Sequence, residues 1–287
     1  MDLADLILLV AIPWFIGMMF LEHAVDRAGR KQEQRLLGYE SVDTRTSISM
    51  GLGSLVVNSL WRFVEVAALT GVAALTPFDL GHGWVAWVVG MIGVDFVYYW
   101  DHRMGHEVRL LWSSHVVHHS SQRYNYSTAL RQTWTGFYVF VFFIPVVAVG
   151  VPVGVALACY SVNLLYQFWI HTERIDKLWA WFEYVFNTPS HHRVHHGSQS
   201  QYLDRNYGGV LIVWDRLFRS FEPEGERVVY GLTKNIETHN PLRVATHELA
   251  AIGRDVRAAS SWRDKLGYVF RGPGWAPADQ KVLVPSA

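Results

Sequence analysis

The sequence predicts an all-α protein: a membrane-embedded helical bundle of about five crossings with a helical cap on one side. Three observations lead there. Of 287 residues, 51% are hydrophobic and only 17% charged, a profile between a soluble globule and a pure membrane bundle. Lys and Arg fall in 23–46, 101–131 and 171–287, with Arg62 the one exception, so the chain alternates between basic and uncharged stretches. Ten of the fourteen histidines lie between His102 and His196, in short clusters beside those uncharged stretches.

A spanning helix needs roughly 20 mostly apolar residues. The first uncharged run, 6–21, comes near that length, extended by Leu3 and Ala4. With no basic residue before it and no small-x-small cleavage site after it, it reads as a retained helix rather than a signal peptide. The second candidate, 47–75, contains Arg62 and Glu65, three apart and able to pair on one face as a structural ion pair. The third, 84–100, carries one acid, Asp95. From 132 to 170 no residue carries a formal charge. A single helix of that length, at ~1.5 Å per residue, would nearly double the bilayer core. The stretch is therefore expected to be a hairpin turned near Gly150-Val-Pro152.

Basic residues are absent from the links 76–83 and 149–153. The positive-inside rule then places the N-terminus outside, the C-terminus in the cytoplasm and every histidine cluster on the cytoplasmic side. The protein is expected to be an integral, multi-pass membrane protein with a cytoplasmic catalytic face. The compact chain and lack of sorting signals point to a bacterial inner membrane. Residues 1–287 are read as one membrane domain with its cap, the catalytic core in 95–225 and a C-terminal amphipathic and tail region in 241–287. Residues 204–222 hold a Gly-Gly turn and an apolar stretch. From Pro241 a helix is expected with Leu249, Ile252, Val256 and Ala259 at helical spacing, lying in the membrane interface or packed as an ordinary surface helix. After Gly272 the tail reads as irregular.

Net charge is zero, so nothing suggests nucleic acid or a highly charged substrate. The single cysteine, Cys159, excludes an intrachain disulfide and argues against a thiolate metal site. Any metal is then held by nitrogen and oxygen donors.

The histidine clusters read His102-Arg-Met-Gly-His106, His115-Val-Val-His118-His119 and His191-His192-Arg-Val-His195-His196, with His171 between the last two. Neutral imidazole is the commonest metal ligand, and spacings of three and four place imidazoles one turn apart on one helix face. A single buried histidine is more often a satisfied core residue than a ligand; three spaced sets together point to a polynuclear site. Asp95, Tyr99, His102 and His106 fall on one stripe, so the third crossing would leave the bilayer carrying its own ligands. Eight imidazoles exceed what one ion takes, and two ions fit the count. A histidine-rich pair of irons suggests O2 activation beside a lipid chain, whereas zinc hydrolases keep three ligands and an open position. His191 precedes the spaced set and is assigned to the surroundings of the metals or to the surface. Asp95, Asp101, Asp204, Asn206 and Asp215 are candidates to orient imidazoles through their second ring nitrogen, with helix caps and surface ion pairs as the alternative for the last three. His23, His82, His239 and His247 lie outside the constellation.

With these boxes in this order, the chain resembles the fatty acid hydroxylase/sterol desaturase superfamily of membrane di-iron oxygenases. The resemblance covers roughly 45–240 and is closest to the tetrahydrobiopterin-dependent, ether-lipid-cleaving branch, the alkylglycerol monooxygenases. The stretches 112–132, 165–172, 187–197, 206–218 and 229–233 carry it. It implies His102, His106, His115, His118, His119, His171, His192, His195 and His196 as ligands of two Fe ions, with Gln167 standing where other branches place a tenth. It implies a lipid substrate (alkylglycerol, acyl chain or sterol), O2, and a reductant that is tetrahydrobiopterin or an electron-transfer protein. Glu107 matches the branch, and a carboxylate there can take the aminopyrimidine edge of a pterin with two hydrogen bonds. Phe218-Arg-Ser-Phe221 departs from the usual Phe-Gly-Thr-Phe, where only a local change is expected. Sterol or fatty acyl hydroxylation or desaturation is the alternative within the class. From another class, a membrane metal carrier or sensor would place histidines inside the crossings, lining a path, rather than at one face.

Overall fold

A computed structural model describes residues 3–29 and 36–278. Its helices are α1 (Leu3–Gly29), α2 (Ser41–Leu75), α3 (Trp84–Glu107), α4 (Arg109–His119), α5 (Tyr126–Ala129), α6 (Phe140–Ala148) and α7 (Val153–Ile170), then α8 (Ala180–Val185), α9 (Pro189–His195), α10 (Val213–Leu217), α11 (Pro241–Ala258) and α12 (Trp262–Phe270). Among the described residues only two isolated bridges form, Phe186 with Leu211 and Gly197 with Tyr230. The chain is all-α, as predicted.

By length and composition three helical stretches can cross a membrane: Leu9–Gly29, Ser41–Leu75 and Val153–Ile170. The outward faces of the first two carry exposed Phe20, Leu52, Val56, Leu60 and Phe63, an apolar surface that only lipid accommodates without cost. The 35 residues of α2 would reach about 52 Å, well beyond the hydrocarbon core. Its first turns accordingly belong to the cap, where Asp43, Thr46, Ser47, Met50 and Ser54 form one buried stripe. Further along, Arg62 and Glu65 pair at 3.2 Å, as their spacing requires. The second half of α3 carries Asp95, Asp101, Arg103 and Glu107, and it packs between α7 and α4.

The hairpin turns where expected. Gly150 has φ +96°, and a Cβ there would lie 2.9 Å from the Phe78 carbonyl carbon, so the turn requires glycine. Its first arm is shorter than a crossing: the nine residues of α6 cover about 14 Å. The chain before α6 is held by side chains that compete with helical bonding. Thr133 Oγ1 takes Ser114 Oγ and the Thr135 N–H, and Trp134 Nε1 donates to the Met50 carbonyl.

Leu69, Val94, Val97, Phe143, Val147 and Leu157 join α2, α3, α6 and α7 in the main core. Glu22 on α1 accepts from Tyr39 Oη, the Tyr126 N–H and Thr172 Oγ1, tying the first helix to the cap. Helix α11 is a packed helix, its buried face centred on Val244, Ala245 and Ile252 rather than on Leu249. Arg109 on α4 grips it through Glu248 and Asp255, each at 2.7 Å. The tail after Gly272 is irregular as far as it is described, and 279–287 lie outside the described residues.

Candidate metal centre

The three boxes and His171 converge into two groups of imidazoles. One holds His102, His106, His115, His119 and His195; the other holds His118, His171, His192 and His196. Within each group the donor atoms lie within 4.8 Å of one another. Helical spacing explains the sorting. His115 and His119 are four apart and share a group, as do His192 and His196, while His118 and His195 point sideways into the other group. Helices α4 and α9 therefore each feed both groups. The end of α3 adds His102 and His106 to the first, and His171, at the C-terminus of α7, completes the second. Seven of the nine rings are buried; His115 and His118 retain accessible surface.

Four rings are aimed by backbone carbonyls. His102 Nδ1 donates to the Tyr207 carbonyl at 2.7 Å, His171 Nδ1 to Gln167 at 2.7 Å, His195 Nδ1 to Arg205 at 2.9 Å and His118 Nδ1 to Arg131 at 3.3 Å. An Nδ1–H so placed leaves Nε2 with a lone pair facing inward. Burial pulls the pKa of these rings down, His118 to about 4 and His102, His171 and His195 well below the usual histidine value. The rings are thus neutral donors. Nε2 of His106, His195 and His196 are buried and have no hydrogen-bond partner. His118 Nε2 and His171 Nε2 face each other at 3.1 Å with both ring hydrogens committed elsewhere. Lone pairs converging in a dry interior repel unless a cation lies between them, so the residues fit a bound metal.

The carboxylates play a different part from the one expected. Only Asp204 approaches a ring, 3.4 Å from His106 Nδ1. Asp95 accepts from the Val210 and Leu211 N–H groups, Trp214 Nε1 and Asn163 Nδ2. Asp215, its pKa raised to about 6 by burial, accepts from the Tyr207 and Gly208 N–H groups and Ser220 Oγ. Both brace the 204–215 loop that delivers the Arg205 and Tyr207 carbonyls. Asp204 and Asn206 turn this loop in the left-handed region, φ +59° and +57°, which short polar side chains tolerate best. Asn206 bonds the His191 and Glu222 carbonyls rather than a ring. Arg219 also has φ +62°, at the position where the resemblance places glycine.

Gln167 does not offer its side chain to the histidines: Nε2 donates to Asn163 Oδ1 and Oε1 accepts from Tyr98. It acts through its carbonyl on His171. His191 packs edge-on against Phe221, outside both groups. Asp101 Oδ1 is buried and accepts no hydrogen bond from a ring. Glu107 pairs with Arg103 at 2.8 Å on the cap surface.

The sequence reading missed the carbonyl anchors, which no side chain marks. It also missed Tyr124, fully buried against His171 and His196 with its hydroxyl on the Ile170 carbonyl, and Trp112, which packs on His106 and His119.

Residues 87–220 match the family described as fatty acid hydroxylase, and the matched stretch holds all nine clustered histidines. The chain is 41% identical to alkylglycerol monooxygenase of Homo sapiens over 275 residues, which is 95% of this chain and 60% of that protein. It is 40% identical to alkylglycerol monooxygenase of Xenopus tropicalis over 278 residues, 96% of this chain and 61% of that protein. An ornithine lipid hydroxylase of Rhizobium tropici is 28% identical over 169 residues, 58% of this chain and 46% of that protein. The chain thus spans about 60% of the length of the alkylglycerol monooxygenases it matches. No solved structure matches it.

Proposed function

We propose that this chain, with its fatty acid hydroxylase domain in an integral membrane bundle, is a di-iron monooxygenase that oxidises a lipid chain, and that the lipid is an alkylglycerol. The reaction inserts one oxygen atom of O2 into a C–H bond of the carbon next to the ether oxygen. The second oxygen atom leaves as water, with two electrons and two protons from a reductant. The resulting hemiacetal collapses to a fatty aldehyde and a glycerol product. The carrying observation is the pair of histidine groups with inward, unpartnered nitrogens. The likeness to alkylglycerol monooxygenases over nearly the whole chain supports the choice of lipid.

His102, His106, His115, His119 and His195 would hold one iron, and His118, His171, His192 and His196 the other. Five donors exceed the four of a tetrahedral zinc site. The Nε2 atoms of His102 and His115 stand 3.0 Å apart, close enough for both to serve one ion. Iron held there supplies activation of O2. The protein keeps the imidazoles neutral, aims them through fixed carbonyls and buries them, and this dry setting protects a reactive oxidant from side reactions. The uncharged hairpin and its tyrosines sequester the lipid chain. The placement of Lys and Arg supports a cytoplasmic active face. A reduced pterin or an electron-transfer protein supplies the electrons. The pterin reading rests on the likeness to alkylglycerol monooxygenases, with Glu107, paired with Arg103 at the end of α3, as the candidate contact.

The test is fatty aldehyde release from a labelled alkylglycerol by iron-loaded, detergent-purified protein, with and without tetrahydrobiopterin. Pterin-dependent release is expected, and His118→Ala or His195→Ala should abolish it and lower iron content. No release from protein shown to hold iron would reject ether cleavage and favour acyl-chain or sterol hydroxylation. Full activity without iron would refute the mechanism.

A further inference from the structure

Asp101 precedes the first histidine of the constellation, yet it neither orients a ring nor pairs with a base. Its Oδ1 is sealed from solvent and has no hydrogen-bond partner. A buried carboxylate oxygen without a partner is costly and calls for an explanation. The residue as a whole retains accessible surface, as do Tyr98, Tyr138 and Tyr160, all within electrostatic reach of its carboxylate. These groups come from α3, the segment before α6, and α7, three neighbouring parts of the bundle. Tyr98 and Tyr138 donate their hydroxyl hydrogens to Gln167 Oε1 and the Leu111 carbonyl, leaving oxygen lone pairs as what they can offer a ligand. Tyr98 also lies 5.4 Å from the His102 ring, centroid to centroid, so these acceptors adjoin the clustered histidines.

We infer that Asp101 is a specificity-determining residue that accepts a hydrogen bond from a free hydroxyl of the lipid headgroup, setting the chain beside the histidines. The inference rests on the lipid-monooxygenase reading and adds how the substrate is held. A neutral hydroxyl suits the place better than an ammonium, because a buried ion pair among tyrosines must first be desolvated. A site built to bond a hydroxyl also rejects the analogue that lacks one.

The test compares wild type, Asp101→Asn and Asp101→Leu, all iron-loaded, on an alkylglycerol with free hydroxyls and on its O-methylated analogue. Binding is measured without O2, and turnover with it. Wild type should prefer the free-hydroxyl lipid. Both variants should lose about 10- to 100-fold in affinity and kcat/KM for it. Iron content should stay as in wild type, and both variants should lose the preference between the two lipids. Should Asp101→Leu fail to fold, the isosteric Asp101→Asn carries the comparison. Variants that keep the wild-type preference overturn the inference and leave ether cleavage standing. Stronger competition from an aminolipid than from the alkylglycerol assigns Asp101 to a cation and also overturns it. If iron-loaded wild type cleaves neither ether, the function reading falls and the inference with it.

Discussion

The Nε2 atoms of His118 and His171 lie 3.1 Å apart, and each ring has already given its Nδ1 hydrogen to a carbonyl, Arg131 for one and Gln167 for the other. Neither has a proton to place between them, because burial keeps both rings neutral. Two acceptors held face to face in this way are pre-organised for a cation, and the carbonyls that hold them store the arrangement in the backbone.

The unequal groups predict unequal sensitivity to loss of a ligand. His171→Ala reduces a group of four to three, whereas His106→Ala reduces a group of five to four. Purified His171→Ala should retain about one iron per chain and His106→Ala more than that, since a first group left with four imidazoles still has as many donors as the intact second group. Metal analysis of the two variants decides this; equal retention would contradict the assignment of donors to groups.

Arg131 is the largest fully buried side chain among the described residues, bonded to Asp43 at 2.6 Å and to Ser47 and Ser120. Arg131→Met strands the Asp43 carboxylate in the interior and should destabilise the protein by ~3–5 kcal/mol. Adding Asp43→Asn should restore much of the loss. Denaturant unfolding in detergent reads both, and a double variant no better than the single one would show that the charge pair is not the cause.

Asp215→Ala should weaken the centre from a distance. It removes the acceptor for the Tyr207 and Gly208 N–H groups, and with it the support of the carbonyl that orients His102. Metal affinity should fall about 10- to 100-fold. Asp215→Asn, which keeps one acceptor oxygen, should lose less. Metal titration of the two variants checks the ranking.

The metal-free protein should lose stability on mild acidification. Burial lowers His118 from 6.5 to about 4, and it pulls His115 and His192 in the same direction. The unfolded chain therefore binds protons that the folded one refuses. This stability is present above pH 6.5 and is lost as pH falls through the window down to about 4. Thermal melts of metal-free protein across that window should show Tm falling with pH, and a flat profile would contradict the burial of the neutral rings.

Much of this architecture is legible in the sequence. Uncharged runs of bilayer length mark the apolar helices, Gly150 marks the hairpin turn, and the spacing of Arg62 and Glu65 makes their ion pair. Histidines three and four apart point to a metal centre, because helical periodicity is local and a separation of three or four residues already fixes which side chains share a face. The sequence by itself determined the all-α class, the apolar helices and the nine imidazoles that gather. The tertiary structure decided the rest. It splits His118 from His119 and His195 from His196, since that depends on how α4 and α9 approach each other. It shortens the first arm of the hairpin, since Trp134 finds the Met50 carbonyl on another helix. It also replaces the expected carboxylates around the rings by the carbonyls of Arg131, Gln167, Arg205 and Tyr207. Every residue has the same carbonyl, so only the path of the chain says which four will meet a histidine.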